Sequence, residues 1–126
     1  MPQTFSPTQS QWIKTAPGVR RRTIAVGDRL FQMLVEFEAG ASTESHSHPH
    51  EQVIHVLRGK LRLILSDGTV EISAGESYCL QSNVPHGAQA PVDTLVLDSF
   101  SPPREDLIAL DAQLSFPNAQ HPVPNA

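Results

Sequence analysis

Short runs of alternating apolar and polar residues, each closed by a turn residue, leave this chain little choice but a sheet fold. Across residues 30–38, Met33, Val35 and Phe37 fall on one side of an extended strand and Gln32, Leu34, Glu36 and Glu38 on the other. Residues 23–26 lead into Gly27-Asp28, and residues 52–58 end at Gly59. Residues 60–66 follow, with Leu61, Leu63 and Leu65 on one face. Asp67-Gly68 is a two-residue hairpin signal, because glycine accepts the positive φ such a turn needs. Val70 and Ile72 continue the next strand, Ala74-Gly75 turns again, and residues 78–80 and 94–100 complete the set. Strands this short and this closely spaced predict a β-sandwich or barrel. No helical period precedes Pro102-Pro103, after which residues 105–110 are expected to form one short helix. The first ten residues and the tail punctuated by Pro117, Pro122 and Pro124 read as loose.

A chain of 126 residues has room for one core, so residues 1–126 are read as a single domain, with the barrel spanning about residues 20–101. The net charge of -4 argues against nucleic acid as a bulk electrostatic partner. Arg20-Arg21-Arg22 is therefore read as a solvated strand start rather than a basic patch. No apolar run reaches the length of a membrane span and the first residues lack a signal-peptide core, so a cytoplasmic location without membrane attachment is expected. The single Cys79 has no partner for an internal disulfide and reads as a buried neutral thiol.

Chemistry concentrates in the stretch His46-Ser47-His48-Pro49-His50-Glu51-Gln52, joined much later by His86. Alternate residues of an extended chain point the same way, and Pro49 biases His48 towards extension, so His46 and His48 are placed to converge on one metal ion. Neutral imidazole is the commonest protein metal ligand. Glu51 and Gln52 face opposite ways on a strand, so only one of them joins the histidines, and hydrophobic alternation alone does not choose. His50 reads as a residue behind the ligands or in solvent, His55 as a packing or interface residue, and His121 as having no specific role.

Gly40, five residues, His46-x-His48, three residues, Gln52, six residues and Gly59 together resemble the first motif of the cupin superfamily, with Gln52 where a glutamate is usual. That spacing selects Gln52 over Glu51. The second motif is recognisable in Ala74-Gly75-Glu76 and Asn83-Val84-Pro85-His86-Gly87, with Gln81, Asn83 and Ala90 where proline, glycine and asparagine are common. The resemblance implies a double-stranded β-helix, a jelly-roll-like barrel, with one divalent metal ion held by His46, His48, Gln52 and His86. Zinc, nickel, cobalt, iron and manganese all suit such ligands. Three imidazoles and an amide leave the +2 charge uncompensated, which favours anionic or hydroxyl-bearing ligands.

Further residues narrow the resemblance. Trp12, Ala16-Pro17-Gly18-Val19, Val35-Glu36-Phe37 and the run from Leu97 to Asp106 look like the pectin-degradation cupins of KdgF type, over about residues 12–107. That group converts 4,5-unsaturated monouronates to linear keto sugars. The likeness implies catalytic roles for Asp98 and Arg104, substrate binding by Phe100 and Arg104, a small anionic sugar as substrate, and a homodimer. Asp98 and Phe100 share strand parity, and Pro102-Pro103 must break the ladder, which would fold Arg104 back over the barrel mouth. Two other readings use the same histidines: an iron-dependent cupin dioxygenase and a non-catalytic sugar-binding cupin.

Overall fold

The computed structural model describes residues 3–4 and 11–114; His121 and the proline-punctuated tail lie outside them. Among the described residues, eleven strands and one helix follow in order. Strands β1 (Gln3–Thr4), β2 (Ile13–Ala16), β3 (Val19–Val26), β4 (Phe31–Phe37), β6 (Glu51–Arg58), β9 (Ser77–Leu80) and β11 (Thr94–Ser101) form a seven-stranded antiparallel sheet. Its order is β1-β3-β4-β11-β6-β9, with β2 paired to β3. Strands β5 (Ser42–His46), β7 (Lys60–Leu65), β8 (Gly68–Ser73) and β10 (His86–Gln89) form a four-stranded sheet in the order β5-β10-β7-β8. The helix α1 (Glu105–Leu114) follows β11. This is the two-sheet, jelly-roll-like architecture that the sequence leads one to expect.

Alternation decides which faces meet. Phe31, Met33, Val35 and Phe37 of β4 are buried, as are Ile54 and Val56 of β6 and Val96 and Phe100 of β11. Leu61, Leu63 and Ile72 supply the facing layer from the four-stranded sheet. Together they make one contiguous core. The helix runs four residues beyond the expected end at Leu110, because no breaker intervenes before Pro117. Buried Leu107 joins that core, and Leu110 is buried as well.

Two turns position the site. Gly59, between β6 and β7, has φ +89°, and a Cβ there would collide with the Asp93 carbonyl and the Thr94 hydroxyl. Asn83 takes φ 65° where the motif commonly has glycine. Asparagine is among the side chains that tolerate the left-handed region, and the Asn83 N–H donates to the His48 carbonyl at 2.8 Å. The two motifs are thereby tied by their backbones.

Two expectations are corrected. Arg21 is not solvated: it is fully buried, on the same inward face as Val19 and Thr23. Only Arg20 and Arg22, of opposite parity, turn outwards, where both guanidiniums lie over the Trp12 ring. Cys79 is exposed rather than buried, because it sits on the outer face of β9. Partial desolvation and the neighbouring Glu51 carboxylate push its pKa up, so the thiol is nonetheless neutral. No helix among the described residues is long and apolar enough to cross a membrane.

Candidate functional site

The two sheets contribute different parts of the site. His46 ends β5 and His86 begins β10, and the two are directly paired across that ladder. Their ring centroids are 4.5 Å apart. His48 lies just beyond β5, 5.9 Å from His46 and 5.0 Å from His86 between ring centroids. One ligand atom from each of the three imidazoles lies within 4.8 Å of the others, close enough to hold one metal ion. Gln52 of β6 stands opposite Phe100 of β11 in the other sheet, and Asp98 is two residues back on the same inward face.

Each imidazole is oriented by a main-chain oxygen. His46 Nδ1 donates to the Glu44 carbonyl at 3.0 Å, His48 Nδ1 to the His50 carbonyl at 3.1 Å, and His86 Nδ1 to the Val84 carbonyl at 2.9 Å. A carbonyl only accepts, so Nδ1 of His46 and of His86 carries the proton and their Nε2 atoms keep the lone pair for a cation, while His48 has an oxygen acceptor at each nitrogen and takes the same tautomer when Nε2 meets a cation. Desolvation, with the charges of Arg104 and His86, lowers the His48 pKa to about 4, and desolvation also lowers that of His86. Both rings are therefore neutral, the form that binds metal.

The amide at position 52 completes the set. Gln52 hydrogen-bonds the Asp98 carboxylate through its NH₂, which turns its oxygen towards His48. Gln52 Oε1 and His48 Nε2 then stand 3.1 Å apart, a hydrogen bond in the Nε2–H tautomer and two lone pairs ready for a cation in the other, while His46 Nε2 is buried without a partner. A cation between these atoms satisfies all of them at once. The donor set fits a divalent ion.

Asp98 forms the inner wall. Burial pushes its carboxyl up to about 7, opposed by the Gln52 hydrogen bond and the Arg104 charge. Its Oδ1 is buried and unpartnered. Phe100, also buried, meets His48 edge-on at 5.5 Å between centroids. Arg104 folds back as expected, its guanidinium 4.9 Å from the Phe100 ring centroid. It is 4% exposed, and its Nε and Nη2 edge is taken by Asp106 at 3.1 and 2.9 Å. Arg104 Nη1 is left buried without a partner. His46, His48, His50, Arg104 and Asp106 line an opening of about 470 Å³.

Two further histidines lie among the described residues. His50 serves His48 through its carbonyl, and its ring stands edge-on to Phe100 at 6.3 Å between centroids. His55 lies on the outward side of β6, 2.7 Å from the Ser77 hydroxyl. Arg21 and Asp111, on the helix side of this region, escaped sequence reasoning. The shared parity of Val19, Arg21 and Thr23 was the available signal.

Three inward imidazoles close enough to hold a metal ion, on a two-sheet barrel, are the arrangement of a cupin, and the sequence agrees. The Cupin domain model matches residues 33–98, more than half of the chain, which therefore belongs to the cupin family. Within it, the chain is similar to the structure of KdgF from Halomonas sp., at 31% identity and a TM-score of 0.76, covering 83% of this chain and 97% of that one. An RmlC-like cupin from Shewanella frigidimarina is 29% identical with a TM-score of 0.76, covering 83% and 96%. The polyketide cyclase RemF from Streptomyces resistomycificus shares the fold, at 23% identity and a TM-score of 0.65 over 79% and 78% of the two chains. A comparison with the curated proteins finds no match. Cupins that act as enzymes are thus among the structural relatives.

Proposed function

We propose that this cupin opens the ring of 4,5-unsaturated monouronates, derived from pectin or alginate, to give linear keto sugars. The observation that carries the reading is a buried carboxyl, Asp98, hydrogen-bonded to an inward amide beside three converging imidazoles, with Arg104 across the mouth. The likeness to KdgF from Halomonas sp. supports it.

The substrate is a cyclic enol ether bearing a carboxylate and an anomeric hydroxyl. Opening it removes the hydroxyl proton, breaks the ring C–O bond and adds a proton to the enol carbon, with no net oxidation. His46, His48, His86 and Gln52 would hold the divalent ion, which when bound supplies Lewis acidity towards substrate oxygens. Asp98, whose carboxyl burial raises to about 7 in metal-free protein and a bound cation would draw lower, can take and return a proton. Phe100 gives the ring an apolar wall, and Arg104 offers its unpartnered Nη1 to the sugar carboxylate. Because Asp106 already fills the other edge of the fork, bidentate capture through Nε and Nη2 would require that pair to open. A homodimer belongs to the same proposal: Val53 and Leu57, 40% and 46% exposed, project from the outer face of β6. Sedimentation equilibrium reads the assembly state.

The test is loss of the conjugated enol absorbance when metal-loaded protein meets a 4,5-unsaturated monouronate. Rapid loss, abolished in His48→Ala and Asp98→Ala, is expected. A rate no faster than the spontaneous one, with metal confirmed in the protein, overturns the reading. Oxygen uptake in its place would identify a dioxygenase.

A further inference from the structure

Helix α1 carries more than an apolar face. Arg104, the residue just before the helix, and Leu107, Ile108 and Asp111 within it stand three and four residues apart and so fall in one stripe. Leu107 is fully buried and Ile108 packs against the core. At the far end of the stripe, Asp111 meets strand β3. Arg21 Nη2 donates to Asp111 Oδ1 at 2.9 Å, the Thr23 hydroxyl donates to Asp111 Oδ2, and Arg21 Nη1 reaches the same hydroxyl at 3.2 Å. The Arg21 side chain has 0% exposure and that of Asp111 26%.

Stability alone does not account for this triad. Stripping water from a guanidinium offsets most of the attraction it gains, and apolar residues of similar shape often do as well or better. Directionality is what a buried pair supplies. An apolar stripe tolerates rotation and slippage of a helix, whereas two donors on one carboxylate fit a single placement. Arg104 lies seven residues upstream, about 10 Å along the helix axis, and its carbonyl accepts the Ile108 N–H at 2.9 Å. A rotation of α1 would carry the Arg104 backbone with it and so disturb where its guanidinium meets the Phe100 ring, 4.9 Å from the centroid.

We propose that Arg21, Thr23 and Asp111 are positioning residues, a register clamp that fixes α1 so that Arg104 sits over Phe100 at the mouth of the site. The proposal rests on the substrate-carboxylate role given to Arg104 above. It separates fold stability from substrate binding, and the test exploits that.

The triple variant Arg21→Met/Thr23→Val/Asp111→Leu replaces the clamp with apolar residues, and Asp111→Asn removes only its charge. Melting temperature, KM for the unsaturated monouronate and the Arg104 Nε–H resonance, assigned by its loss in Arg104→Lys, are read on metal-loaded protein. The triple variant is expected to melt no lower than wild type while KM rises about tenfold and the Arg104 resonance broadens. Asp111→Asn should move KM and the resonance the same way, less far. An unchanged KM with an unchanged resonance, in either variant that folds, overturns the clamp. Should the resonance broaden while Arg104→Ala leaves KM as in wild type, the clamp stands and the role given to Arg104 falls.

Discussion

The two sides of the site are held in different ways. On the four-stranded side, His46 and His86, with His48 just beyond β5, are each fixed by a peptide carbonyl. On the seven-stranded side, Gln52, Asp98 and Arg104 are fixed by other side chains and by burial. Backbone orientation resists changes of charge and sequence nearby. Side-chain orientation shifts with either. The histidine half should thus behave as all or nothing, and the carboxylate half as graded.

The largest effect is expected from the histidines. His86→Ala should drop bound metal from one equivalent towards none and lower turnover by more than about 10³-fold, since ligand loss exceeds the 10–100-fold typical of groups behind the ligands. Elemental analysis beside turnover checks it, and full metal retention would break the comparison. Asp98→Asn comes next: metal content stays at the wild-type level while turnover falls by about 10²–10⁴-fold, the usual worth of a proton-transfer group. If this variant loses its metal, the two halves are not separable.

How far the sequence reveals each half follows the same division. Strands β4 and β7 largely alternate apolar and polar residues, β6 and β11 carry short apolar runs bounded by turns, and all four are legible at sight. Strands β5 and β10, with sequences STESH and HGAQ, carry the site but no apolar alternation, because Ala88 is their one inward apolar side chain and His46 and His86 are polar. Motif spacing found their histidines where periodicity could not find the strands. Arg21 was misread because a central arginine in a basic run looks solvated, and its partner Asp111 lies ninety residues away. Separation of that kind leaves no local trace.

pH sharpens the comparison. In metal-free protein, burial holds the Asp98 carboxyl at about 7 against an ordinary 3.8. Between those values the folded protein keeps a proton that the unfolded chain has released. Stability from this group therefore falls as pH rises through that window and levels off above it, by up to about 4 kcal/mol. Denaturant unfolding of wild type and Asp98→Asn at about pH 5 and about pH 8 isolates the difference; a flat difference would contradict the raised pKa. Bound metal adds positive charge nearby and should move the window to lower pH.

The smallest expected effect tests the backbone side. Asn83→Ala, at φ 65°, should cost about 1 kcal/mol relative to Asn83→Gly. Both variants keep the N–H that donates to the His48 carbonyl, so metal content should be unchanged in each. Calorimetric melting beside metal analysis reads the two quantities separately. Loss of metal in Asn83→Ala would show that the backbone half is graded after all.

The three carbonyls of Glu44, His50 and Val84 also bear on how such a barrel diversifies. A peptide oxygen survives every amino-acid replacement at its position, so point mutation cannot strip the imidazoles of their supports. Arg104, Asp106 and Phe100 enjoy no such shelter and can be exchanged one codon at a time. Lineages can therefore refit the mouth to a new ligand while inheriting the histidine cluster intact.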